Sequence, residues 1–491
     1  MISSGTSRIA STPNIHLSFL PVFYLSKLFG VMPFKFVRKR KLKKIDVKVT
    51  DASSSPRSSQ YKNSVCDYMY SYCWLILTLA HGLSAPFYVL HTNLPQKYTD
   101  GLFKYKLDPI LQNKTIKGNF DNETKQSISM KIINPLLVTL MSLGSRFISL
   151  YTINSNLTRF LLKLYRVDVS LCFMTDFRYY INHTKHLNTA VGLVFYFIIF
   201  GLPVNFQYML NVAEINNELG ITWCLILVLY NLASFCSDLQ FIFFAYALRV
   251  RFEFISLNLE IFIPPNRIEM RNNHLFLAQP NKKPAKAGAY LRHPFLSKDI
   301  RKVDNLKKFL PDSPSDCFLD QYRLCDTIEI YRECHRQLCE LLEFLNSMYQ
   351  FHLLITLAAC FLKVLFNIYF TMFGYVIGTA SSHSSKEEAE YLRTILWSTY
   401  YVMRFLTLII SAYLTVDRAT KTRIVVSTIN NRFLDPDTKE ELKLFANQIS
   451  SRNIEFTACG FFTLNTHLIT SAIAAGTTYL VILVQFHSDK E

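Results

Sequence analysis

The chain has 491 residues, of which 50% are hydrophobic and 18% are charged, and 53 Lys and Arg against 36 Asp and Glu give a formal net charge of +17. Soluble proteins carry about 25% charged residues, so this composition excludes a typical water-soluble protein. The 40 Phe and 27 Tyr, against 14 Gly, also exclude a disordered or collagen-like chain.

The first 66 residues are interpreted as a cytoplasmic N-terminal segment. They hold an apolar run, residues 16–34, and a basic block, KFVRKRKLKK. Pro21 and Lys27 interrupt the run and no small-residue cleavage site follows it, which disfavours a signal peptide, while an eighth span stays open. We expect the run to lie along the inner leaflet, with the basic block near anionic membrane lipid. The Ser-rich residues 45–66 are expected to lack ordered structure.

Seven mainly apolar stretches predict membrane-spanning helices, because about 20 helical residues cross a hydrocarbon core of about 30 Å. The predicted fold class is therefore an all-α membrane protein with seven transmembrane helices. Buried helices of a large soluble enzyme are the alternative, which the lack of a polar face on these stretches disfavours. The predicted spans are residues 67–91, 131–154, 187–210, 220–250, 351–377, 394–416 and 457–486.

The distribution of basic residues predicts the orientation of these spans, because Lys and Arg accumulate on the cytoplasmic side of a membrane. One set of connecting segments carries 39 Lys and Arg and the other set carries 9. The N-terminus is therefore expected in the cytoplasm and the C-terminus outside. Asn113 and Asn122 stand in sequons of the first outer loop and are candidate glycosylation sites. The basic set comprises 1–66, 155–186, 251–350 and 417–456, and the other comprises 92–130, 211–219, 378–393 and the tail 487–491.

The two long inner segments carry further helical signals. Segment 251–350 begins with a Pro-rich basic stretch, which we expect to be flexible, and apolar residues recur at helical spacing from Asp320 to the fifth span. Segment 417–456 predicts cytoplasmic helices, one of them with Asp435 as N-cap and Pro436 in the first helical position. Nucleic-acid binding by the basic stretch is disfavoured, because such charge is more often solvated or faces a membrane.

Enzyme chemistry has little support in the sequence. There is no glycine-rich phosphate loop, no HExxH and no GxSxG, so we expect no enzyme activity, no catalytic residue and no cofactor. Cys334, His335 and Cys339 suggest zinc, but the two cysteines are five residues apart and point from different faces of a helix. No metal site is therefore predicted, and helix packing by reduced thiols is the expected explanation.

The seventh predicted span, 457–486, carries small and weakly polar side chains through its middle. Ser471, Thr478 and Gln485 recur every seven residues and therefore share one face of a helix. Such a face suits close helix packing or a water-lined path more than contact with lipid. Several copies around an axis would form a pore, with the carbonyl end of the helix favouring cations at the outer mouth. Packing at an internal interface remains the alternative.

The end of this span also resembles a known family. Thr478-Tyr479, five apolar residues and Gln485-Phe486 resemble the TYhhhhhQF signature of insect gustatory receptors, and TACGFFTLNTHLITSAIAAG looks like the rest of that family's last span. The resemblance implies a tetrameric, ligand-gated, non-selective cation channel in the plasma membrane of sensory neurons, with dendrites as the expected site. Its implied partners are a small tastant, such as a sugar or a bitter compound, and further gustatory receptor subunits in a homo- or hetero-tetramer.

The resemblance also implies roles for residues of the last span. Gln485 and Phe486 would form the outer gate, and Tyr479 would pack on a neighbouring face. Asn465 departs from the family, in which an acidic residue is common at this position. The pore would be lined by Ser471, Thr478 and Ile482.

Two other classes of membrane protein are weighed against a channel. A G-protein-coupled receptor would place its N-terminus outside, usually with an outer disulfide and a proline in the seventh span, and none of these signals is found in the sequence. A transporter is disfavoured because the seven spans show no paired halves.

A ligand site is expected in the outer half of spans two to six, where a tastant needs aromatic faces and a few polar groups. Aromatic residues near span ends are otherwise membrane-interface anchors. The candidates for ligand contact are Trp397, Tyr400, Tyr401, Trp223, Gln207, Asn205 and Tyr375.

Four charged residues inside the spans are functional candidates as well. Intramembrane charges are costly and usually face a protein interior or a water-filled cavity. These residues are Arg146, Asp238, Lys363 and Arg404.

Overall fold

A computed structural model describes residues 15–29, 31, 34–37, 60–63, 69–80, 136–147, 150, 154–174, 183–205, 218–260, 316–378, 385–429 and 434–488. Most of these residues are helical. The sequon residues Asn113 and Asn122 and the ligand candidate Gln207 lie outside the described residues.

Ten α-helices and two small antiparallel sheets make up the described part of the chain. The strands are β1 (Phe34–Val37) paired with β2 (Gln60–Asn63), and β3 (Thr457–Ala458) paired with β4 (Phe462–Thr463). The helices are α1 (Ile15–Leu28), α2 (Met69–Ala80), α3 (Leu136–Phe147), α4 (Asn154–Met174), α5 (His183–Tyr196), α6 (Glu218–Glu260), α7 (Asp316–Gly378), α8 (Ser385–Thr428), α9 (Pro436–Ser450) and α10 (Thr466–Ser488).

Each of the seven predicted spans overlaps one apolar helix, in order α2, α3, α5, α6, α7, α8 and α10, which confirms the all-α membrane fold class. Shorter apolar helices within the described residues are Met69–Ala80, Leu136–Phe147 and Thr466–Ile482. Among the described residues, four helices are long and apolar enough to cross a membrane: His186–Asn205, Leu225–Glu260, Leu324–Tyr369 and Thr394–Thr428.

The last helix begins at Thr466, nine residues after the predicted start of the span at residue 457. The preceding β3–β4 hairpin turns at Cys459 and Gly460, whose φ angles are 51° and 76°. A right-handed helix cannot pass through left-handed backbone, so the chain forms a hairpin here. Asn465 then caps α10, because its side-chain oxygen accepts a hydrogen bond from the Leu468 N–H at 3.1 Å.

The helical predictions for the inner segments are confirmed, with different boundaries. Helix α7 runs without a break from Asp316 through the fifth predicted span. Helix α8 continues through the sixth span to Thr428, so RATKTRIVVST extends that helix instead of forming a separate one. Helix α9 has the predicted cap, since the Asp435 carboxylate accepts a hydrogen bond from the Thr438 N–H at 3.0 Å.

The N-terminal helix α1 packs into the protein. Its 14 described residues span about 21 Å, less than the hydrocarbon thickness of about 30 Å. Phe19, Val22 and Phe23 are fully buried, and the Phe19 ring centroid lies 5.2 and 4.8 Å from those of Phe243 and Phe244 on α6. The predicted interfacial segment therefore buries one side against the helices of its own chain.

Strand β2 lies inside the Ser-rich stretch 45–66, for which we expected no ordered structure. Its residues pair with β1 in antiparallel register, with Phe34 opposite Asn63 and Val37 opposite Gln60. Pairing with an apolar strand supplies the backbone hydrogen bonds that a polar segment cannot form by itself.

The chain divides into two compact units. The first comprises residues 1–254, 334–420 and 453–491, and α6 is its central helix, because every residue from Tyr230 to Phe241 is buried. The second comprises residues 255–333 and 421–452.

The second unit has its own core and polar contacts. Leu442, Phe445 and Ile449, spaced at threes and fours on α9, are buried as one face of an amphipathic helix. Beside that face, Arg332 forms an ion pair with Glu441 at 2.9 Å.

Candidate functional site

A buried carboxylate joins three helices inside the first unit. Asp238 on α6, His352 on α7 and Arg404 on α8 are each 2% exposed or less. Arg404 donates from Nε and Nη2 to Asp238 Oδ2 at 2.8 and 2.5 Å, and His352 Nε2 lies 2.8 Å from Asp238 Oδ1. A buried charge is tolerated only when it is paired and hydrogen-bonded, and Asp238 and Arg404 meet that condition together.

Two further side chains of α6 complete this group. Arg404 Nη1 donates to Asn231 Oδ1 at 3.0 Å, and Nη2 donates to Ser234 Oγ at 3.1 Å. Asn231, Ser234 and Asp238 follow at steps of three and four, so they lie on one face of α6. We call Asn231, Ser234, Asp238, His352 and Arg404 the polar core.

The polar core reaches the short helical stretch 202–205, beyond α5, through a pair of amides. Asn231 Nδ2 donates to Asn205 Oδ1 at 2.9 Å, and Asn205 Nδ2 donates to the Gly201 carbonyl at 2.6 Å. Asn205, a predicted ligand residue, is 1% exposed and therefore serves in this structure to connect helices.

An aromatic group lies one helical turn before Arg404 on α8. The Tyr400 hydroxyl is 3.5 Å from Arg404 Nη1. The Trp397 ring meets Tyr400 edge-on at 5.8 Å and stacks on Tyr401 at 5.7 Å. From α7, Lys363 Nζ lies 4.9 Å from the centre of the Tyr401 ring. The structure thus brings three predicted ligand residues together and connects them to the polar core.

A cavity of about 200 Å³ lies between the residues that follow α5 and the N-terminal part of α8. Its wall is mostly apolar with two hydroxyl-bearing side chains, a composition that suits a small, partly apolar ligand. Of the predicted ligand residues, Tyr400 lines it. The lining residues are Ile199, Phe200, Pro203, Val204, Leu396, Thr399 and Tyr400.

The part of the cavity wall that follows α5 departs from regular α-helical geometry. Residues Phe197–Gly201 form a π-helical turn, closed by the Leu202 N–H donating to the Phe197 carbonyl. Gly201 lies against Phe235 so closely that a Cβ would come within 3.1 Å of its ring, and Pro203 has no N–H to continue the ladder. Such π-turns occur frequently at functional sites.

The other predicted residues are distributed as follows. Trp397 and Tyr401 pack beside the cavity wall through Tyr400. Trp223 lies in α6 and Tyr375 lies in α7, and their side chains are outside the described part of the structure. All four intramembrane charges are buried, as expected.

Sequence reasoning missed His352, Asn231 and Ser234. The opposite charges of Asp238 and Arg404 within two apolar spans were a signal for an ion pair. A helical projection of α6 from Asp238 would have placed Asn231 and Ser234 on the same face.

The polar stripe of α10, defined as Ser471, Thr478 and Gln485, is exposed in the single chain, and so is the predicted pore residue Ile482. The Thr478 hydroxyl donates to the Ala474 carbonyl at 2.9 Å, so its hydrogen-bonding capacity is partly met within the helix. Tyr479 on the adjacent face is 56% exposed, and Phe486 lies within α10.

The base of α10 is held by helix α7 through the hairpin. Asn346 accepts from the Thr457 N–H at 3.1 Å and donates to Thr457 Oγ1 at 3.2 Å. Next to it, the Phe456 ring packs edge-on against Phe241 of α6 at 5.4 Å. Displacement of α7 would therefore act directly on the entry to α10.

The two cysteines considered for zinc, Cys334 and Cys339, are packed side chains of α7. Cys334 and Cys339 are buried, and Cys339 Sγ lies 3.5 Å from His335 Nδ1. Within the described residues, no three His, Cys, Asp or Glu side chains are grouped so that they could hold a metal ion.

Comparison with known sequences gives consistent matches. A family model described as 7tm chemosensory receptor matches residues 127–490. Among curated proteins of Drosophila melanogaster, the chain is 27% identical over 171 residues to "Putative gustatory receptor 28b", covering 33% of this chain and 35% of that protein. It is 28% identical over 155 residues to "Gustatory receptor for sugar taste 43a", covering 31% and 34%. The aligned part thus spans about a third of these relatives.

Comparison with solved structures shows a similar fold over nearly the whole chain. The insect olfactory receptor OR5 from Machilis hrabei matches with a TM-score of 0.57 at 13% identity, covering 96% of this chain and 99% of that chain. The same receptor in complex with eugenol matches with a TM-score of 0.56.

Proposed function

The chain belongs to the 7tm chemosensory receptor family, and on that premise we propose that it is a tastant-gated, non-selective cation channel. Membership of this family confirms the resemblance to insect gustatory receptors and makes the chain a multi-pass membrane receptor, not an enzyme. Neither the G-protein-coupled receptor nor the transporter alternative gains support from it.

The exposed polar stripe of α10 is the observation that carries the channel proposal. A single chain leaves Ser471, Thr478 and Gln485 uncovered, although polar side chains facing lipid are unfavourable. Four copies arranged around an axis would turn the stripe towards water in a shared pore. Gln485 and Phe486 then form the outer gate, and the exposed Tyr479 packs against a neighbouring subunit.

The cavity between α5 and α8 is the proposed tastant site. Tyr400 offers an aromatic face and a hydroxyl to a ligand, and the same side chain contacts Arg404 of the polar core. A ligand that moves Tyr400 would therefore act on the ion pair that holds α6, α7 and α8 together. A sugar or a bitter compound is the proposed ligand.

The proposed location is the plasma membrane, in the dendrites of sensory neurons, with the N-terminus in the cytoplasm and the C-terminus outside. On intact, unpermeabilised cells, an antibody should reach a C-terminal tag and not an N-terminal tag. The reverse pattern would contradict both the orientation and the outward gate.

Thiol modification tests the pore. In excised patches without nucleotides, a cationic methanethiosulfonate reagent applied outside with ligand should block current through Thr478→Cys. Ile473→Cys is the matched control, because residue 473 is 62% exposed and lies on the opposite side of α10. Equal sensitivity of the two variants would contradict a pore along the stripe.

A larger side chain tests the ligand cavity. Thr399→Trp should fill much of the cavity and abolish or strongly weaken the response to tastants while leaving surface expression intact. Val402→Trp is the control, since Val402 is exposed on the same helix and does not line the cavity. Normal tastant responses in Thr399→Trp would remove the cavity from the proposal.

A further inference from the structure

Among the described residues, three arginines are buried, and the surroundings of one differ from those of the other two. Arg404 is paired with Asp238, and Arg251 makes two contacts of 2.6 Å with the carboxylate of Asp168. Arg146 on α3 is 1% exposed, and the described salt bridges give it no carboxylate partner.

The surroundings of Arg146 form an aromatic cage. Its guanidinium carbon lies 4.9 Å from the Trp74 ring centre on α2 and 5.9 Å from the Tyr230 ring centre on α6. Nε donates to Ser142 Oγ at 3.3 Å, whereas Nη1 is buried and has no hydrogen-bond partner. Ser71 Oγ, one turn before Trp74 on α2, is also buried without a partner. An unsatisfied charged donor in such a site is costly unless an anion accepts from it.

Within the described residues, the helices that contact the cage or α3 supply no such anion, and α7 has no acidic residue between Glu343 and Gly378. Neither α2 nor α3 contains an acidic residue, and α6 has none between Glu218 and Asp238. Asp238 lies eight residues from Tyr230, about 12 Å along the helix, and it is already bound by Arg404 and His352. The described residues therefore leave the charge of Arg146 without a counter-charge, which an anionic ligand would supply.

The surface beside the cage indicates the route by which an anionic ligand would reach Arg146. Phe147, adjacent to Arg146, is 46% exposed, and Leu77, one turn after Trp74 on α2, is exposed too, so apolar surface beside the cage is available to acyl chains in a membrane. On the predicted topology, Arg146 and Trp74 lie seven or eight residues from the inner ends of their spans, roughly 10–12 Å. The inner leaflet is the one that carries anionic lipid.

We propose that Arg146 binds the anionic headgroup of an acyl-chain amphiphile, a carboxylate or a phosphate, that enters from the inner leaflet beside α2 and α3. The headgroup accepts from Nη1, the aromatic rings hold the guanidinium in place, and the acyl chain lies along the exposed apolar side chains. This site is separate from the tastant cavity and does not depend on channel function.

Fluorescence quenching tests the proposal with the full chain in neutral lipid nanodiscs. The chain has three tryptophans, so Trp223→Phe and Trp397→Phe leave Trp74 as the reporter inside the cage. Dibromostearic acid and brominated phosphatidic acid are titrated, with the methyl ester of the first and brominated phosphatidylcholine as controls. We expect saturable quenching by the acid if the ligand is a carboxylate, and by phosphatidic acid if it is a phosphate.

Substitution of the arginine provides the second measurement. Arg146→Gln should weaken the acid-specific quenching by at least about tenfold, the effect of losing one charged hydrogen bond, and Arg146→Lys should retain part of it. Arg159→Gln, which removes an exposed arginine, should change nothing. Equal quenching by acid and ester, or unchanged affinity in Arg146→Gln, would overturn the proposal. If Arg146→Gln does not fold, the comparison of acid and ester in the reporter protein decides the question alone.

Discussion

The polar core of α6, α7 and α8 and the polar stripe of α10 satisfy their polar groups in opposite ways. In the core, Arg404 and Asp238 are buried and find their partners within the chain. In the stripe, Ser471 and Gln485 are exposed and the single chain provides nothing to cover them. If the chain is the channel we propose, the contrast indicates that one chain specifies the bundle, whereas the conduction path would require several chains. Substitutions in the core should therefore change folding, and substitutions in the stripe should change conduction.

Asp238→Leu should have the largest effect on stability. It leaves Arg404 buried without its carboxylate, which costs roughly 3–5 kcal/mol. Native domains are stable by only about 5–15 kcal/mol, so we expect a strong fall in unfolding temperature and in surface expression. Thermal unfolding of the detergent-solubilised protein, followed by size-exclusion chromatography, measures the loss.

The double variant Asp238→Leu with Arg404→Leu is the control for this prediction. It removes both charges, and replacing a buried pair by apolar residues is often close to neutral. The double variant should therefore recover much of the stability lost in Asp238→Leu. Additive losses in the double variant would mean that the two side chains do not act as a pair.

The sequence predicted the helices because apolar runs of this length have few other stable structures in a membrane. It predicted that Asp238 and Arg404 are buried, but their pairing depends on which helices are neighbours, and this arises from three-dimensional packing. The predicted start of the last helix was nine residues too early, because the turn at Cys459 and Gly460 has no strong sequence signal. Cys459 adopts a positive φ that is rare for a residue with a side chain.

The candidate site was predicted in part. Tyr400, Tyr401 and Trp397 were chosen from their spacing on one helix, and the structure brings them together beside Arg404. The cavity itself was not predictable, because it depends on the π-helical turn Phe197–Gly201 of a different helix.

Asn346→Ala should have the next largest effect, at the point where α7 meets the entry to α10. It removes two hydrogen bonds to Thr457, each with a net value of about 0.5–1.5 kcal/mol. We expect a modest fall in unfolding temperature together with a shift in the tastant concentration that opens the channel. Asn346→Asp keeps the acceptor for the Thr457 N–H and should lie between wild type and alanine. An unchanged dose response in Asn346→Ala would show that this contact does not couple α7 to α10.

Asp435→Ala should have a smaller effect, in the second unit. Losing an N-cap costs about 1 kcal/mol. Hydrogen bonds from Thr438 lower the pKa of Asp435 below its ordinary value of 3.8, so the cap stabilises α9 above that pH and is lost as pH falls through the lower folded-state pKa. Hydrogen exchange of the first α9 amides should accelerate in Asp435→Ala at neutral pH. Asp435→Asn should retain the cap. After correction for intrinsic rates, its amide exchange should lack the acid-induced acceleration that we expect for wild type.

Gln485→Ala should have the smallest effect on stability, because residue 485 is exposed in the single chain and surface substitutions usually change stability by about 0.5 kcal/mol or less. The same substitution should alter basal current or ion permeation, since four Gln485 side chains would form a ring at the outer mouth. Gln485→Glu sharpens the test, because a ring of carboxylates should increase the preference for cations over anions, measured as a shift in reversal potential. If α10 instead faced lipid, the new carboxylate would reduce expression and leave the permeation of the surviving channels unchanged. The polar stripe would then require a cover other than the pore, and the contrast with the polar core would disappear.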